Sequence, residues 1–187
     1  MTARTLRSIY QLTVTLQGIK LPIWRRFQIA STENLGDVHI VLQVVMGWTN
    51  SHLHEFVMGG NRYGIPDEEF PSDVLDEMDY RLDQLLKKEK DTLSYAYDFG
   101  EGWEHEIVLE KVLPFDTGVV LPVCLDGARA CPPEDVGGMP GYAMFLETIS
   151  DPAHPEYNEM LEWVGGDYDP EEYDLAEAND LLREVCD

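Results

Sequence analysis

IYQLTVTLQGIKLPIWRRFQIASTENLGDVHIVLQVVMG, residues 9–47, changes its hydrophobic period partway along. From Ile9 to Leu16 it alternates, with Leu12, Val14 and Leu16 on one face and Gln11, Thr13 and Thr15 on the other. A period of two predicts a half-buried strand. Gly18 to Pro22 is a connector, and residues 23–29 alternate again: Ile23, Arg25, Phe27 and Ile29 share one face, Trp24 and Arg26 the other. Two such runs around a short connector predict a hairpin-like opening. The spacing then becomes helical through Leu35, Val38, Val41, Leu42, Val45 and Met46. Asn34 fits the N-cap, Asp37 suits the positive end of the helix dipole, and Gly47 fits the residue just past the end.

Working outward, residues 52–60 predict a third strand, and residues 65–80 an acidic loop broken by prolines. A short helix is expected at 81–88. Leu93, Tyr95, Tyr97 and Phe99 share a face of the next strand, Gly100-Glu101-Gly102 turns the chain, and residues 103–112 return. Residues 114–140 are rich in Pro and Gly and predict a loop. Helices are expected at about 141–149, 155–164 and 174–185, the last opened by Asp174 with Glu177 three residues on. Strands come early and helices late. That order predicts one α+β domain over residues 1–187: an antiparallel sheet from the N-terminal two-thirds, one early helix, and a C-terminal group of helices.

The net charge is −23. Residues 1–66 hold six bases and three acids, so the acid excess lies wholly beyond them. Counterion release from a phosphate backbone needs clustered Lys and Arg, so direct nucleic-acid binding is not expected; Arg25 and Arg26 are its one local support. An acidic surface keeps a protein soluble and also suits a protein partner with a basic face. Residues 1–10 lack the apolar core of a signal peptide, no run reaches membrane-span length, and Cys124, Cys131 and Cys186 are few and odd in number. A reduced, cytoplasmic protein is expected.

Four strings stand out: Met46-Gly47-Trp48 with His52-Leu53-His54-Glu55-Phe56; Tyr97-Asp98-Phe99-Gly100 with Trp103-Glu104-His105; Cys124 through Ala130-Cys131-Pro132-Pro133-Glu134-Asp135-Val136-Gly137-Gly138, then Gly141-Tyr142; and Gly165-Gly166-Asp167-Tyr168-Asp169-Pro170. Together they resemble the plasmid pRiA4b ORF-3-like family. The resemblance implies association with plasmids or mobile elements and no defined reaction. It also implies a third cysteine in many relatives where this chain has Val136.

The same strings hold the candidate site residues. On a strand, His52 and His54 would point to one face, and His105 lies on another strand. Histidines with a carboxylate make an open zinc or iron site, so a divalent metal is the candidate cofactor. Against this, the histidines could instead hydrogen-bond neighbouring strands or Asp98. Cys124 and Cys131 could add thiolates, although a gap of six residues is wider than the two to four usual between paired ligands; otherwise they are small buried hydrophobes. Glu134 and Asp135 follow a stiff Pro-Pro pair and either face a ligand or cap backbone N–H groups. Asp98, Trp103 and His105 join them as a candidate binding surface. No Walker loop, G-x-S-x-G or H-E-x-x-H string is present. Two functions follow: an acidic binding or interaction module, and a metal-dependent hydrolase or oxygenase using the histidines.

Overall fold

The computed structural model describes residues 7–67 and 73–186. Eight strands form one sheet: β1 (Ser8–Leu16), β2 (Trp24–Ala30), β3 (His54–Met58), β4 (Asn61–Gly64), β5 (Val74–Asp76), β6 (Thr92–Tyr97), β7 (Trp103–Pro114) and β8 (Val123–Ala128). Their spatial order is β5-β4-β3-β6-β7-β1-β2-β8. Only the β4–β5 pair is parallel. The helices are α1 (Leu35–Met46), α2 (Leu82–Leu85), α3 (Gly138–Ser150), α4 (Tyr157–Val164) and α5 (Leu175–Val185). This is the α+β arrangement the sequence predicts.

Both expected hairpins form. Leu12 pairs with Phe27 across β1–β2, and Tyr97 with Trp103 across β6–β7. The centre of the sheet joins distant segments, with Val14 opposite Ile107 and Leu12 opposite Leu109. Two strands lie where loops are expected. Part of the acidic loop, residues 68–72, falls outside the described residues; of the remainder, Val74–Asp76 is the edge strand β5. Val123–Ala128, inside the Pro/Gly-rich loop, pairs with β2 as the other edge.

One sheet face carries the core. Leu12, Phe27, Phe56, Leu93, Tyr95 and Ile107 are fully buried there, beneath Leu35, Val38, Leu42 and Val45 of α1. Each such aliphatic or aromatic side chain contributes about 1.5–3 kcal/mol by leaving water. The Asn34 side chain accepts from the Asp37 N–H, and Gly47, at φ 97°, ends α1 in the left-handed conformation. The other face is polar. There Glu110 accepts from Gln11 Nε2 at 2.8 Å, Thr13 Oγ1 at 2.6 Å and Arg26 Nε at 2.7 Å. The Arg26 hydrogen bond chiefly holds the Glu110 carboxyl down to about 2.

Arg25, one residue away, points inward and is 1% exposed. Its guanidinium donates to four backbone carbonyls: Val45, Trp24, Ala128 and Arg129. Tyr173 stacks on it at 3.8 Å. A buried cation is tolerated when its donors are satisfied, and this one joins the last turn of α1 to the chain leaving β8. The basic face expected from Arg25 and Arg26 does not exist, because one is buried and the other is paired with Glu110. Among the described residues, no helix is long and apolar enough to cross a membrane.

Candidate functional site

Three connections meet beside the end of α1. The first runs from Gly47 to β3 and carries Thr49 and His52. The second is the β6–β7 turn, where Asp98 adopts φ 53°. The third leaves β8 and carries Cys131, Pro132, Pro133, Glu134 and Asp135. Arg25 ties the last turn of α1, from which the first connection leaves, to Ala128 and Arg129, where the third begins. Glu101 fixes the second to the third: its carboxylate accepts from the Gly137 N–H and from Trp103 Nε1. Gly138 lies so close to this turn that a Cβ on it would sit 2.8 Å from the Glu101 carbonyl oxygen, and its φ is +66°.

His52, Asp98, Glu134 and Asp135 converge at this junction. Glu134 Oε1 accepts from the Thr49 N–H at 2.7 Å, the Thr49 hydroxyl at 3.0 Å and the Tyr97 hydroxyl at 2.9 Å. Its other oxygen, Oε2, is buried without a partner, 3.7 Å from His52 Nε2. Asp98 is built alike. Oδ1 accepts from the Gly100 and Glu101 N–H groups, and Oδ2 lies 3.7 Å from His52 Nε2. Asp135 Oδ1 is 3.2 Å from the same nitrogen, on a largely exposed side chain. The ligating atoms of His52, Asp98 and Asp135 all lie within 4.8 Å of one another. Burial pushes the Tyr97 phenol well above its usual range, so it stays protonated and donates to Glu134.

Residues 8–177 match the family model described as plasmid pRiA4b ORF-3-like protein. The chain belongs to the plasmid pRiA4b ORF-3-like family. It is 43% identical over 184 residues to the uncharacterized protein y4hQ of Sinorhizobium fredii (strain NBRC 101917 / NGR234), covering 96% of this chain and 93% of that one. It is also similar to the crystal structure of a protein of unknown function, MM3350, from Methanosarcina mazei Go1. That likeness has a TM-score of 0.82 at 36% identity, over 91% of this chain and 97% of the other. Of the strings that resemble the family, His52, Tyr97 with Asp98, and Glu134 with Asp135 lie at this junction.

The remaining predicted residues stand outside the cluster. His52 precedes β3, so strand alternation does not align it with His54, the first residue of that strand. His54 Nε2 bonds Glu77 Oε2 at 2.8 Å, and its ring stacks on His39 at 3.4 Å. His105 and Trp103 do share a face, but it is the core face, where each is 1% exposed. His105 Nδ1 meets the Tyr95 carbonyl at 3.2 Å, and burial lowers its pKa to about 4. Cys124 Sγ contacts the Tyr173 hydroxyl at 3.2 Å. Burial pushes both the Cys124 and Cys131 thiols up, away from the thiolate a metal needs. Of the expected metal set, His52 alone joins the cluster; of the expected binding surface, Asp98, Glu134 and Asp135 do.

Sequence reasoning missed four supporting residues. Tyr97 was visible as a strand aromatic but not as a donor, and nothing singles out Thr49. His39 and Glu77 complete a buried network that no motif announces. Gln43 Nε2 donates to the Tyr95 oxygen at 2.9 Å. Tyr95 bonds His39 Nδ1 and His39 Nε2 bonds Asn50 Oδ1, each at 2.8 Å, and the Asn50 N–H returns to Gln43 Oε1. The Tyr95 hydroxyl can donate to His39 Nδ1 only if His39 is neutral, and burial lowers its pKa to about 4.

Proposed function

We propose that the protein binds one divalent cation through His52, Asp98, Glu134 and Asp135 and uses it in hydrolysis. One observation carries this reading. Asp98 and Glu134 each spend one carboxylate oxygen on fixed donors and turn the other toward His52 Nε2, itself buried without a hydrogen-bond partner. Groups that orient ligands in this way are what tune a metal site. One imidazole with three carboxylates suits manganese, zinc or iron better than calcium, which takes oxygen ligands only. Four protein ligands leave two positions of an octahedral ion for water or substrate. Hydrolysis fits better than oxygenation, because non-haem iron oxygenases use two histidines with one carboxylate and His54 is committed to Glu77.

The test is isothermal titration of chelator-treated protein with manganese or zinc, beside His52→Ala, Glu134→Gln and a Cys124→Ala/Cys131→Ala control. One ion per chain is expected. Either site substitution should weaken binding about 10–100-fold, and the cysteine control should not. Binding that survives His52→Ala, or no binding at all, removes the proposal.

A further inference from the structure

We infer that the groove between α3 and α4 binds a basic amphipathic segment of a partner protein. The groove has a volume of about 320 Å³. Phe145 forms its floor, and Met144, Met160 and Trp163 form its walls. Met144 is 69% exposed and Trp163 46%, with the Trp163 ring edge-on to Phe145 at 5.9 Å. An amphipathic helix ordinarily buries its apolar stripe. The stripe of α4 is Met160, Trp163 and Val164; Met160 and Val164 are half-buried against the core, and Trp163 is left exposed. Methionine walls adapt to varied apolar shapes, which suits an inserted side chain.

Charge selects the occupant. The polar groups on the groove are Asp135, Glu156 and the Thr148 hydroxyl, with no base among them. Residues 130–187 hold sixteen acids and one arginine. An acidic or nucleic-acid partner is repelled here, and so is a second copy of a chain at −23. A segment with apolar anchors at helical spacing and lysines or arginines flanking them meets both the floor and the rim. This inference does not depend on the proposed cation, although Asp135 borders both places.

The test uses the whole chain in chelator, so that its outcome is separate from the cation's. A fluorescent 16-residue leucine–lysine peptide of helical amphipathic pattern is titrated by anisotropy, beside the same composition scrambled and a leucine–glutamate version. The leucine–lysine peptide should bind, the other two at least about tenfold more weakly, with affinity falling as salt rises. Met144→Lys changes an exposed position and should weaken binding about tenfold, the effect of losing one central anchor. Glu184→Lys, a larger charge change on α5 outside the groove, should stay within about twofold. Thermal melts confirm that both variants fold. The inference is overturned if no peptide binds, if the scrambled peptide binds equally, if Glu184→Lys weakens binding as much as Met144→Lys, or if the chain dimerises through the groove.

Discussion

Acidification should strike this fold through His105. Its imidazole is wholly buried, and its pKa falls from an ordinary 6.5 to about 4 because burial penalises the charged form. A histidine depressed in the folded state takes up its proton first in the unfolded chain. Its contribution is therefore intact above about pH 6.5 and is lost as pH falls toward 4. Each pH unit crossed between the two pKa values removes about 1.4 kcal/mol. Going from pH 7 to pH 5 crosses most of that window and costs roughly 2 kcal/mol from this one group. For a domain stable by about 5–15 kcal/mol, that is a large share. Urea unfolding of wild type and His105→Leu at the two pH values isolates it. His39 and the acidic surface titrate in both proteins and cancel in the difference. The wild type should lose roughly 2 kcal/mol more than the variant on acidification, with unchanged denaturant slope. Equal losses would refute the placement of a neutral, buried imidazole at residue 105.

The polar sheet face gives a second pH signature. The Glu110 carboxyl is depressed to about 2, chiefly by Arg26, so its contribution holds above about pH 4.5 and fades below it. Glu110→Gln should lower Tm at pH 7 and flatten the fall in Tm between pH 4.5 and 2; a Tm profile parallel to wild type would contradict this. Arg25→Met should cost about 3–5 kcal/mol in urea unfolding, because it strands carbonyls in a buried place. Arg25→Lys should not restore it, since one ammonium cannot replace a planar fork. Wild-type stability in the lysine variant would show that charge alone suffices there.

What the sequence made legible was local and periodic. Asn34, Gly47 and Asp174 act at helix ends through their own backbone geometry, and each does so as expected. The alternation of Leu93, Tyr95 and Tyr97 placed them correctly on one face. Edge strands were harder. Val123–Ala128 follows Pro122, contains Gly127 and is half exposed, so it shows no alternation. Val74–Asp76 is three residues among acids, paired parallel to β4, the strand just before it. At the site, residue types were readable and directions were not. Parity put Trp103 and His105 together but could not say which side of the sheet the helices cover. His52 and His54 parted because the strand begins two residues later than the alternation suggested. The meeting of His52 with Asp98, Glu134 and Asp135 depends on Arg25 reaching carbonyls over a hundred residues away, and no local pattern encodes that.

The placement of β1 next to β7 also sets a timetable for synthesis. β1 ends at Leu16 and its central partner begins at Trp103, so translation at about 5–20 residues per second leaves that strand edge open for roughly 4–17 s. Bare edges of apolar hairpins invite pairing between nascent chains. Residues 8–30 carry Lys20, Arg25 and Arg26 and no acid, so neighbouring nascent chains present like-charged hairpins that repel one another. The acids that dominate the finished molecule emerge later, when one arginine is about to be enclosed by carbonyls and the other meets Glu110. A charge asymmetry that looks like a surface property of the mature protein thus also guards its first half-made sheet.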